Sequence, residues 1–102
     1  MNVKELAIAL VQIPSITDSF HEAKPLNIIR KELNRHNTSY QCIGKAPKQN
    51  LVAWIGSGKP VVVLNSHIDV VNAHARMFLP RVSGGKLYGR GAADAKGPLA
   101  AM

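Results

Sequence analysis

Cysteine is nearly absent from this sequence: Cys42 is the only one among 102 residues. A lone cysteine excludes an internal disulfide and a Cys-rich zinc site, and it makes the cytoplasm the default compartment. Long apolar runs are missing too. The longest are Leu6 to Val11 and Val61 to Leu64, well short of the ~18 residues a membrane span needs. The first meets Pro14 with no small-residue cleavage site behind it, so it reads as a helix rather than a secretory leader. Aromatic residues are 5% of the chain and acidic residues number six against thirteen Lys and Arg, a formal charge of +7. A basic balance raises the question of a nucleic-acid partner. Here, however, the cations are dispersed, only Arg30 and Lys31 are adjacent, and few aromatics stand among them to stack on bases. The charge fits a solvated surface better, and neither a nucleic acid nor a membrane is expected as a partner.

What is present suits one small globular domain: 46% hydrophobic and 19% charged residues. Asn2 and Glu5 form a capping pair ahead of an apolar stripe at Val3, Leu6, Leu10 and Val11, which predicts a helix ended by Pro14. Residues 14–19 read as a loop. A second helix runs from Ser19 to about His36, or begins near Lys24 so that Pro25 falls in its first turn, where its missing N–H costs nothing. Strands are expected at Tyr40–Ile43 and Asn50–Ile55. Val61–Leu64 is wholly apolar and rich in β-branched residues, the pattern of a strand buried on both faces. Arg81-Val82 and Lys86–Tyr88 flank Ser83-Gly84-Gly85 as a hairpin, and Gly97-Pro98 opens a helix. That helix breaks off after barely one apolar turn, so the sequence reads as cut.

Two blocks carry chemistry. In the first, VVVLNSHIDVV, strand alternation puts His67 and Asp69 on one side and Ser66 on the other. An imidazole with a carboxylate to fix its tautomer suits a metal site; a structural histidine beside a loop-capping aspartate is the plainer alternative. A Ser66-His67-Asp69 triad fails, because Ser66 points away and no G-x-S-x-G elbow exists. In the second, LYGRGAADAKGPLAAM, glycines at 89, 91 and 97 permit close backbone approach around Asp94. Asp94 is suited either to bridging two cations or to capping the following helix. The Gly89-Arg90-Gly91 start of a dinucleotide fingerprint lacks its third glycine, and there is no P-loop. Lys96 reads as a surface charge, and His21 and His36 as surface residues of the second helix. His74 reads as a loop or substrate-facing group.

Taken in order and at this spacing, SHIDVV and LYGRGAADAKGPLAA resemble the family of acetylornithine deacetylases and succinyl-diaminopimelate desuccinylases, to which aminoacylases and carboxypeptidase relatives also belong. Weaker counterparts (LVQIPSIT, NLVA and its glycine turn) extend the likeness along the chain. The resemblance implies an α/β fold: a partial zinc-peptidase catalytic domain, with a mixed sheet, parallel central strands and flanking helices. Residues 1–102 would be the N-terminal part of that domain, without the smaller domain that closes over substrate and often makes the protein a homodimer.

His67 matches a zinc ligand, Asp94 the carboxylate bridging two zinc ions, and Asp69, counted with the catalytic group, the aspartate that clamps the imidazole. Cobalt or manganese are plausible substitutes for zinc. The bond after the bridging aspartate, here Asp94-Ala95, is typically cis. The implied reaction is hydrolysis of the amide of an N-acyl amino acid or short peptide. The implied general base, one glutamate of a Glu-Glu pair, and the remaining ligands are not within Met1–Met102.

Asn72 in place of a frequent proline, a loop 72–80 without tryptophan, and Ala95 in place of an acidic residue or methionine depart from the pattern and leave the substrate open. A non-catalytic remnant of the same fold and a small basic nucleic-acid binder are the rival readings.

Overall fold

Asn2 caps the first helix as its spacing with Glu5 predicts. The Glu5 N–H donates to Asn2 Oδ1 at 2.9 Å and the Asn2 N–H donates to the Glu5 carboxylate at 3.0 Å, two otherwise orphaned donors satisfied reciprocally. The computed structural model describes residues 1–102 and shows this helix, α1, over Val3–Val11. The second helix, α2, covers Pro25–Arg35 with Pro25 in its first turn, so the proline starts the helix and does not bend it. Asn37 ends it in the left-handed region at φ 52°. There the Thr38 N–H reaches Leu33 O at 2.8 Å and the Asn37 N–H reaches Asn34 O at 3.1 Å, a Schellman closure.

Strands β1 (Ser39–Lys45) and β2 (Lys48–Trp54) pair with each other, antiparallel, Cys42 opposite Leu51. A 3₁₀ turn at Ala75–Phe78 leads into a second hairpin of β3 (Arg81–Ser83) and β4 (Lys86–Tyr88). A wide turn over Ala92–Lys96 then feeds α3 (Gly97–Ala101). No helix is long and apolar enough to cross a membrane.

The fold mixes helices and strands, but the two ladders within this chain are both small and antiparallel. The one parallel pairing is an isolated bridge between Ile16 and Val70. The expected strand at Val61–Leu64 takes part in no ladder, and its side chains are exposed, from 66% at Leu64 to 81% at Val62. Composition marks this run for burial, but burial needs neighbours on each face. Within these residues no ladder takes up the run and neither of its faces is covered.

The core is correspondingly small. Twelve of the 102 residues are buried, so the packing that fixes the site is concentrated rather than spread. Ala7 and Leu10 of α1 meet Ala100 of α3, with Leu6, Ile28, Ile29, Leu87 and Leu99 against them. Val11, Val70 and Phe78 are buried as well. Helix α1 thus seats both α3 and the segment that leaves α1 for the site.

Candidate metal centre

That segment, 13–17, overlaps the loop expected at 14–19, and it anchors both halves of the site. The Val70 N–H donates to Ser15 O at 3.0 Å and the Thr17 N–H to Val70 O at 3.0 Å. Ser15, with no exposed surface, donates its hydroxyl to Ile68 O at 2.7 Å. These bonds hold residues 68–70 extended beside the N-terminal strap. On the other side, Lys96 donates from Nζ to Ile13 O at 2.6 Å.

Lys96 therefore corrects its reading as a surface charge: it is fully buried. Its methylenes lie beneath Gly91, where a β-carbon would stand 3.1 Å from Lys96 Cδ, and its ammonium takes a backbone carbonyl in place of water. Burial pushes its pKa down to about 8.

The turn carrying Asp94 is brought over residue 70 by Gly91. With φ at 85°, that residue occupies a conformation L side chains rarely adopt, and an added β-carbon would lie 2.6 Å from Val70 Cγ1. The turn closes with the Lys96 N–H on Gly91 O at 2.7 Å. Asp94 and Ala95 have non-helical backbone within it. The Asp94-Ala95 peptide bond is cis, as the resemblance implies.

His67, Asp69 and Asp94 come together. His67 Nε2 lies 2.7 Å from Asp94 Oδ1. Its Nδ1 lies 3.0 Å from the Asp69 carbonyl and 3.2 Å from Asp69 Oδ1. Both ring nitrogens thus face acceptors, an arrangement that favours the doubly protonated ring. His67 is accordingly raised above its ordinary pKa, chiefly by the hydrogen bond to Asp94; burial opposes this, and the Asp69 carbonyl and the two carboxylate charges add to the rise. Asp69 is lowered, first by the Thr17 hydroxyl 2.6 Å from Oδ2 and also by the His67 charge.

These groups line an open cavity of about 250 Å³, together with Thr17, Val71, Gly89, Arg90 and Ala93. No group of three or more His, Cys, Asp or Glu converges closely enough to hold an ion within this chain. The Asp69 carboxylate is turned to Thr17 and to the back of the ring, which leaves His67 Nε2 and Asp94 facing the cavity.

The remaining histidines stay outside. His74 is exposed and caps the 3₁₀ turn by accepting the Arg76 N–H at 3.3 Å. His21 and His36 are exposed on and before α2. Ser66 Oγ is buried without a hydrogen-bond partner and does not line the cavity, in keeping with the rejected triad. Thr17 and Lys96 are the site residues that sequence reasoning missed. The one available signal was the position of Ser15 and Thr17 in the LVQIPSIT segment that already carried part of the resemblance.

An imidazole and a carboxylate thus meet at the mouth of a cavity, with the imidazole held from behind by Asp69. Residues 63–102 match the sequence profile of a family described as peptidase family M20/M25/M40. A succinyl-diaminopimelate desuccinylase from Xylella fastidiosa is 39% identical over 107 residues, covering 99% of this chain and 28% of the relative. One from Beijerinckia indica subsp. indica is 34% identical over 109 residues, covering 96% and 28%. A probable succinyl-diaminopimelate desuccinylase from Staphylococcus epidermidis is 36% identical over 93 residues, covering 84% and 23%. Over the segment it shares with these relatives the chain is similar to this peptidase family, and it spans less than a third of their length.

Proposed function

We propose that residues 1–102 are the N-terminal part of the catalytic domain of a metal-dependent amidohydrolase. His67 and Asp94 would be its metal ligands and Asp69 the residue that fixes the imidazole. The observation that carries this reading is the 2.7 Å approach of His67 Nε2 to Asp94 Oδ1 with Asp69 behind the ring.

The donor set fits a metal. Imidazole nitrogen and carboxylate oxygen suit zinc, with cobalt or manganese as substitutes. His67 Nε2 and the Asp94 carboxylate, whose side chain is 90% exposed at the cavity, would hold the ion. Bound metal supplies Lewis-acid polarisation of an amide carbonyl and a water acidic enough to attack it.

Within this chain each residue has a definite task. Asp69 holds the proton on His67 Nδ1 and so presents the Nε2 lone pair. Asp94 brings negative charge to the opposite side. Gly91 permits the turn to approach, and the buried Lys96 ties that turn to the strap. A general base and the further ligands come from outside residues 1–102 in this reading, as does the cover for Val61–Leu64. That run would be a central, parallel strand of the whole domain, and His67 and Asp69 would then stand near its carboxyl end, where α/β folds place ligands.

The substrate class follows the relatives: the amide of an N-acyl amino acid, with N-succinyl-diaminopimelate first and acetylornithine or a short peptide next. The free Cys42 fits a reducing cytoplasm, and a homodimer of the whole protein accords with the resemblance. The test is amine release from N-succinyl-diaminopimelate by the zinc-loaded whole protein in which this chain lies. His67→Ala and Asp94→Ala should each abolish it. A folded, metal-loaded protein releasing no amine from any N-acyl amino acid would overturn the reading in favour of a non-catalytic remnant.

A further inference from the structure

We infer that Thr17 is a positioning residue of this site, its hydroxyl holding the Asp69 carboxylate so that Asp69 in turn fixes His67 for the ion. The inference rests on the reading of His67 and Asp94 as metal ligands. Three contacts run in series: Thr17 Oγ1 to Asp69 Oδ2 at 2.6 Å, Asp69 Oδ1 to His67 Nδ1 at 3.2 Å, and His67 Nε2 to Asp94 Oδ1 at 2.7 Å.

The Thr17 hydroxyl has one proton and two acceptors within reach, Asp69 Oδ2 at 2.6 Å and Val70 O at 3.2 Å. A charged acceptor at the shorter distance takes it. The hydroxyl is also presented from a fixed backbone. The Thr17 N–H is bonded to Val70 O, and Ser15, two residues earlier, is bonded to both Val70 and Ile68.

Without this hydroxyl, Asp69 Oδ2 faces the cavity unpartnered. The carboxylate is then free to rotate away from the ring, or to compete for the ion itself. The Asp69 carbonyl still accepts from Nδ1 at 3.0 Å, so the ring is loosened rather than released. The expected loss lies at the lower end of the 10- to 100-fold range seen when partners behind a metal-bound histidine are removed.

Zinc titration of the whole protein in which this chain lies tests this, followed by calorimetry and by the ¹⁵N signals of the His67 ring. Thr17→Val, which keeps the shape and removes the hydroxyl, should weaken zinc binding about tenfold. Thr17→Ala, which adds no bulk and keeps the backbone bonds, should do the same, and Thr17→Ser should stay within about twofold of the parent because it keeps the donor. In an Asp69→Asn background, Thr17→Val should add almost nothing, since residues acting through one another are not additive.

Unchanged affinity in both Thr17→Val and Thr17→Ala would overturn the inference while leaving the metal site standing. So would losses at Thr17 and Asp69 that multiply as independent effects. Zinc binding that survives His67→Ala undiminished would instead overturn the metal reading itself.

Discussion

His67 Nε2 stands 2.7 Å from Asp94 Oδ1 although 27 positions separate them in the chain. The strap at 13–17 and the glycine turn at 91 make that meeting, and no stretch of regular secondary structure carries both residues. The site is therefore sensitive to changes in backbone segments that carry no ligand.

In the proposed metal site the raised pKa of His67 would couple its proton to metal binding. The pair with Asp94 favours the protonated ring, and an ion must displace that proton. Zinc affinity should rise by about tenfold per pH unit below the pKa of His67, then level off above it. Titrations at a series of pH values read this directly.

In the metal-free chain the same shift is a stability statement. A histidine whose folded pKa exceeds its unfolded value of about 6.5 contributes fully below that value, and the contribution fades as pH rises through the folded pKa. Denaturant midpoints should accordingly fall slightly as pH rises above about 6.5. His67→Asn should flatten that part of the profile.

Lys96 has the opposite sign. Its pKa is pushed down to about 8 from 10.5 by burial, so between these values the unfolded chain binds the extra proton. Stability from this group should therefore rise as pH climbs from about 8 to about 10.5, with a slope of at most about 1.4 kcal/mol per pH unit. Lys96→Met should remove the rise, as followed by urea unfolding.

Gly91→Ala places a β-carbon 2.6 Å from Val70 Cγ1 at a φ of 85°. The left-handed conformation alone costs about 1–2 kcal/mol for an L residue, and Val70 must also shift. A loss of roughly 2–3 kcal/mol in unfolding free energy is expected, together with weaker zinc binding as Asp94 is displaced.

Local features of this structure were open to inspection in the sequence. The Asn2–Glu5 box, Pro25 in the first turn of α2, the 81–88 hairpin and the shared side of His67 and Asp69 each follow from spacing over a few residues. The resemblance carried what spacing left open, the convergence of His67 with Asp94. Thr17 and Lys96 were not legible, because their partners lie 52 and 83 positions away and no periodicity encodes so distant a contact. Val61–Leu64 misled for a related reason: an apolar β-branched run states a need for cover, but not whether neighbouring strands supply it.

The most direct test of the central claim, that His67 and Asp94 form a metal-ligating pair, is cobalt(II) titration of the whole protein in which this chain lies, followed by paramagnetic NMR shifts. The account predicts that the strongest shifts centre on the His67 ring and the 91–95 turn. They should be lost in His67→Ala, greatly reduced in Asp94→Ala and unchanged in His74→Ala. Shifts centred on His21, His36 or His74, or shifts indifferent to His67→Ala, would contradict it.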